Sequence, residues 1–141
     1  MAVSALATRE LYILLNLDEK TDTLVAAVDE GLDIAAFERV AESLGVAEKR
    51  LAELLRINTS TLARRKRAGS LSVDESERLY RVAFLLERST QVLGDPAAAR
   101  RWLSTGKRAL GGESPLGFAR TEPGAREIED LLGRIEYGIP S

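Results

Sequence analysis

Four consecutive bases, Arg64-Arg65-Lys66-Arg67, close a stretch, residues 48–67, that holds seven Lys and Arg against two acids. Cations at that density neutralise phosphates. Just upstream, Thr59 and Ser60 carry hydroxyls that can meet base edges, and Arg56 and Asn58 add a cation and an amide. This chemistry is recognition of a polyanion. Covalent chemistry finds little support: the 141 residues include no His and no Cys. That excludes a Ser-His-Asp triad, imidazole acid–base catalysis, a thiolate nucleophile and Cys- or His-based metal sites. Glu127, Glu129, Asp130 and Glu136 lie along an amphipathic segment, where carboxylates form a solvated face. Gly111-Gly112 follows no strand and precedes no Lys-Ser/Thr, so it reads as a turn rather than a phosphate cradle. The residues therefore suggest no catalytic group, no metal and no cofactor.

The formal net charge of −2 conceals this basic stretch. Residues 1–30 carry two bases against six acids, and residues 70–141 ten against eleven. Such partition speaks about partners more than about fold. The apolar N-terminus, Met1 to Leu17, is broken by Arg9 and Glu10 and has no basic leader, which argues against a signal peptide. No apolar run approaches the ~18–20 residues of a membrane helix. A cytoplasmic chain without membrane contact is expected.

Helices must position these groups, and caps place the helices. Asp33 before Ile34, Phe37, Val40, Ala41 and Leu44, with Gly45 after, predicts a helix over 34–44. A second is expected over 47–55. Asn58 caps a third over about 59–67, stopped by Gly69. Ser72-Val73-Asp74-Glu75 is a capping box that opens a long helix to about Leu93. Asp95-Pro96 and Ser114-Pro115 are two further starts, and Pro123 begins a last helix with Ile128, Leu131, Leu132 and Ile135 on one face. Leu24, Val25 and Val28 predict a short helix from about Asp22. Glu10 to Leu17 fits helix or strand, and its apolar content calls for burial, for example against a second copy. The fold class is all-α.

Residues 47–67 have the layout of a helix-turn-helix, with Ala52 at the helix crossing, Ile57 beneath the turn and Thr61-Leu62 in the second helix. Docked in a major groove, Thr59 and Ser60 face base edges while Arg64, Arg65, Lys66 and Arg67 reach phosphates or guanines. The turn position before Ile57 favours glycine because it suits a left-handed backbone. Here it is Arg56, which also offers a phosphate contact.

The last third is the most specific part: Ala99-Arg100-Arg101-Trp102-Leu103, Ala109-Leu110-Gly111-Gly112, Ser114-Pro115-Leu116, Thr121-Glu122, Gly124-Ala125-Arg126-Glu127 and Leu132-Gly133-Arg134-Ile135-Glu136-Tyr137-Gly138. It resembles the toxin-binding domain of the Xre/MbcA/ParS family of antitoxins. Leu51 to Arg67 is similar to the Xre-type helix-turn-helix of that family, and Leu71 to Leu93 to its long connecting helix. The resemblance covers about residues 22–141. It departs at Thr105-Gly106-Lys107-Arg108, where relatives carry an Asn-Pro turn. It implies an antitoxin that holds a RES-domain, NAD-consuming toxin inactive and represses its own operon, with no catalytic residue of its own. Trp102, Arg134, Tyr137, Gly138, Ile139, Pro140 and Ser141 are the expected toxin contacts. Tyr137-Gly138-Ile139-Pro140-Ser141 is a stiffened apolar strip suited to plugging the toxin's NAD cleft.

The expected organisation is thus an N-terminal segment, 1–30, that aids dimerisation; a helix-turn-helix DNA-binding domain, 31–70; and a small helical toxin-binding module, 71–141. Operator DNA, the toxin and a second copy, in a homodimer or higher homo-oligomer, are the expected partners. The alternative is a stand-alone transcriptional regulator whose C-terminal module binds another protein or a ligand.

Overall fold

Short polar side chains set where each helix begins. The computed structural model describes residues 9–18 and 23–138. Among these the elements are α1 (Arg9–Leu14), α2 (Leu24–Glu30), α3 (Ile34–Leu44), α4 (Glu48–Leu54), α5 (Thr59–Ala68), α6 (Val73–Leu93), α7 (Pro96–Ser104), a 3-10 turn (Arg108–Leu110), α8 (Pro115–Phe118) and α9 (Glu122–Glu136). The all-α class is as the sequence predicts; the described residues contain no strand, only an isolated bridge between Asp33 and Ser70. Contacts divide the chain into two units that meet inside α6, between Ala83 and Phe84.

In the first unit α1 is helical rather than extended. It packs on α3, with Leu11 and Leu15 fully buried, and Arg39 of α3 donates to the Ile13 carbonyl at 2.7 Å. The burial that the apolar run demands is therefore met within the chain, although Ile13 itself stays half exposed. The Thr23 hydroxyl caps α2 by accepting from the Ala26 N–H; Asp22, the expected start, lies outside the described residues. Asp33 caps α3 through the Ala35 N–H at 2.9 Å, and Phe37, Val40, Ala41 and Leu44 are buried beneath it. The chain entering α3 pairs with the chain leaving α5: the Ile34 N–H donates to the Gly69 carbonyl and the Leu71 N–H to the Leu32 carbonyl, both at 2.9 Å. Gly31 makes this closure possible, because a Cβ there would lie 2.4 Å from the Leu71 carbonyl oxygen.

Between α4 and α5 the turn is a Schellman motif. The Ile57 N–H donates to the Ala52 carbonyl at 2.8 Å and the Arg56 N–H to the Glu53 carbonyl at 3.1 Å. Arg56 takes the left-handed conformation, with φ 57°, where glycine is the unstrained residue.

The capping box of α6 forms as the sequence predicts. Ser72 Oγ accepts from the Glu75 N–H at 3.2 Å, and Glu75 Oε1 accepts from the Ser72 N–H at 2.9 Å. The same carboxylate takes Arg65 Nε at 2.7 Å and Nη2 at 3.1 Å. Next to it, Ser76 Oγ accepts from the Leu32 N–H at 2.8 Å, and Arg78 donates to the Leu55 carbonyl at 2.8 Å. These bonds tie the first half of α6 to the first unit. The division by contacts accordingly falls within α6.

The second unit is built from three capped starts. Asp95 accepts from the Ala98 N–H and Ser114 from the Gly117 N–H, each at 3.1 Å. The last helix begins one residue before Pro123, since Thr121 Oγ1 is its cap, accepting from the Gly124 N–H at 3.2 Å. Leu85, Ala119, Ala125, Ile128 and Leu132 form the core, with Val92, Trp102, Leu110 and Phe118 packed against it. The loop at Thr105–Arg108 is closed by bonds from the Lys107 N–H to the Glu113 carbonyl and from the Gly112 N–H to the Lys107 carbonyl. Gly106 is required there, as a Cβ would lie 2.4 Å from the Gly112 carbonyl oxygen.

Two stability predictions follow from the first unit. Arg56→Gly relieves the left-handed strain and stabilises the fold by up to about 1 kcal/mol, seen in urea unfolding as a higher midpoint with unchanged slope. Glu75 gives a pH effect. Burial pushes its carboxyl up, but the bonds from Arg65 and from the Ser72 N–H outweigh burial and hold it below the ordinary carboxylate value. The unfolded chain therefore binds this proton more readily. The stability from the pair is fully present above the unfolded value, about 4.3, and is lost as pH falls through the lower folded value. In Glu75→Gln, stability followed from neutral to acid pH declines less steeply than in the parent.

Candidate DNA-binding and partner-binding surfaces

The helix-turn-helix is α4, the Leu55–Asn58 turn and α5. Ala52 of α4 and Ile57 of the turn are both buried. Asn58 spends its side chain on the helix start, accepting from the Thr61 N–H at 2.8 Å. Thr59 and Ser60 follow, exposed on the first turn of α5, where the helix dipole and free N–H groups favour anions. Arg56 is exposed in the turn itself.

The four-residue basic run separates into two kinds. Arg64 and Arg67 are exposed, Arg64 reaching only Thr61 Oγ1 of its own helix at 3.3 Å. Arg65 is engaged by Glu75, a pairing that raises its already high proton affinity. Lys66 Nζ bridges Glu48 at 2.6 Å and Glu38 at 3.1 Å, and both bonds, Glu48's foremost, raise its affinity for its proton. Of the eight residues expected at DNA, Arg56, Thr59, Ser60, Arg64 and Arg67 are exposed with no partner on another helix, whereas Asn58 and Lys66, also exposed, and the half-buried Arg65 have their side chains engaged by intramolecular bonds. Ala63, exposed on the same side as Thr59, was not singled out by sequence. Nor were Glu38 and Glu48, which no local pattern links to Lys66.

In the second unit the expected partner contacts also differ in kind. Trp102 is half-buried against the core, with Lys107 Nζ 5.3 Å from its ring centroid, a cation–π placement. Arg134 is exposed on α9. Tyr137 caps the end of that helix at 76% exposure, beside Ile135 at 38%. Ile135 continues the face of Ile128 and Leu132 but lies one turn beyond the buried core. A two-pronged pair between Arg88 and Glu136 fixes the last turn and holds the Glu136 carboxyl below its ordinary value. Gly138 ends the helix with φ 70°. Ile139, Pro140 and Ser141 lie outside the described residues.

Among the described residues no buried side-chain polar atom lacks a partner, and no helix is long and apolar enough to cross a membrane. What the molecule offers is two surfaces, an outward basic helix and a helix end with exposed apolar groups.

Comparison with known proteins finds a family match in each part of the chain. Residues 23–83 match the antitoxin Xre-like helix-turn-helix domain, and residues 88–138 the antitoxin Xre/MbcA/ParS C-terminal toxin-binding domain. The chain is 29% identical over 138 residues to the antitoxin Xre of Yersinia enterocolitica, which spans 96% of this chain and 93% of the relative. It is 28% identical over 120 residues to the antitoxin Xre of Photorhabdus laumondii, 84% and 81% of the two chains. With the antitoxin Xre of Pseudomonas putida it shares 36% identity over 76 residues, 54% of this chain and 48% of that one. With both halves of the architecture matched in order and their geometry in place, the chain belongs to the Xre/MbcA/ParS antitoxin family.

Proposed function

We propose that this chain neutralises a RES-type, NAD-consuming toxin by blocking its active site and represses its own operon through the helix-turn-helix. The observation that carries the reading is the presence, in one chain, of a helix-turn-helix unit and a toxin-binding unit in the family's order. The RES identity of the toxin comes from the resemblance of the last third. In this reading the chain is a binding protein, and the chemistry it controls belongs to its partner. It acts in the cytoplasm, where operator DNA lies. Toxin contact centres on the end of α9, Arg134 to Tyr137, and continues into the tail that follows, with Trp102 supporting it from the core side. A homodimer suits the DNA role, because helix-turn-helix proteins grip two half-sites about 34 Å or a multiple apart. Among the described residues of the first thirty, Ile13 and Val25 are large apolar side chains exposed at 52% and 74% and available to such an association.

The deciding experiment co-expresses the chain with a neighbouring RES-type reading frame. Rescue of growth, preserved cellular NAD and co-purification support the reading; toxicity and NAD loss unaffected by the chain would sink it. Within that experiment, Ile135→Asp with Tyr137→Asp weakens toxin binding by roughly 30-fold or more, the loss of a buried anchor, and leaves retention of promoter DNA intact. Equal toxin affinity in parent and variant would place the interface elsewhere.

A further inference from the structure

Residues 64–67 look like one basic patch in sequence, but at 3.6 residues per turn they cannot face one way. Thr59, Ser60, Ala63, Arg64 and Arg67 share one arc of α5, and all five are exposed. Thr61, Leu62, Arg65 and Lys66 share the opposite arc. There Arg65 meets Glu75 of α6, and Lys66 meets Glu38 of α3 and Glu48 of α4. We propose that the DNA surface of α5 is the first arc alone, with Arg64 and Arg67 neutralising phosphates. Glu75, Glu38 and Glu48 are positioning residues that act on DNA binding through Arg65 and Lys66 without touching DNA. This rests on the DNA-binding reading of the helix-turn-helix.

Charge supports the division at both residues and burial supports it at Arg65, whose partner Glu75 is buried; Lys66 is exposed and is set apart by its two carboxylate partners. Releasing Arg65 to a phosphate would strand Glu75, which is 7% exposed, as an unpaired buried carboxylate, and that penalty exceeds the gain from one surface contact. The Arg65–Glu75 pair uses the guanidinium fork, Nε and Nη2 together, a geometry that fixes direction as well as distance. A phosphate approaching Lys66 would face two carboxylates already bound to it. The inner arc therefore presents no net positive charge, whereas the outer arc carries two arginines and no acid. The two clamps attach α5 to α3, α4 and α6, so they set the angle at which the outer arc is offered to a groove.

The test uses the full chain and two labelled duplexes of equal length, one carrying DNA from upstream of its own reading frame and one unrelated. Affinity is followed by anisotropy across a salt series. Arg64→Ala and Arg67→Ala each reduce the log–log salt slope by roughly 1. Lys66→Ala leaves the slope unchanged while lowering affinity and melting temperature. Glu75→Gln also keeps the slope but loses affinity severalfold, at a temperature where circular dichroism shows a fully folded chain. Arg65→Glu with Glu75→Arg removes the cation from α5 yet keeps the pair; it recovers part of that affinity with the parent slope. Reduced slopes in the swap or in Lys66→Ala, or undiminished affinity in Glu75→Gln, would overturn the division alone. A parent chain that binds neither duplex would overturn the DNA reading and the division together.

Discussion

A carboxylate removed from water keeps its charge only when donors replace the lost solvent. Glu75 has three: the Ser72 N–H and two nitrogens of Arg65. One of these bonds closes the cap of α6 and the other two hold α5. The start of the longest helix and the placement of the recognition helix are therefore one event. Ser76 and Arg78, on the following residues of α6, reach back to Leu32 and Leu55 and extend the same seam. The clip between Leu32–Ile34 and Gly69–Leu71 closes it from the other side.

Much of this was legible in the residues because caps are local. Asp33, Asn58, Ser72, Asp95 and Ser114 each bond to a backbone N–H two or three residues away, so spacing alone reveals them. Thr121 obeys the same rule but was overshadowed by Pro123, which marks a helix start without fixing its first residue. Arg56 in place of glycine was visible as an oddity, and the backbone there is indeed left-handed. The roles within the basic run were not legible. Lys66 meets acids that lie 28 and 18 positions away in the chain, and only folding brings them together. Likewise, period alone put Ile135 on the buried face, whereas the core ends one turn earlier, at Leu132.

Both surfaces follow from what the fold does not use. Ion pairs engage Arg65 and Lys66 of α5 and leave Arg64 and Arg67 exposed. The core of the second unit consumes Ile128 and Leu132 and leaves Ile135 and Tyr137 at the helix end. A net charge near zero hides the first residue of this subtraction and mean hydropathy hides the second.

The border between the units has a practical meaning for anyone dividing the protein. It falls inside a continuous helix, at a point where Val82, Ala83, Phe84, Leu85 and Leu86 are all buried. Proteases cut exposed, extended chain, so limited digestion has no linker to sever there. A fragment ended or begun at that border would carry a broken helix with an apolar stump and would tend to self-associate.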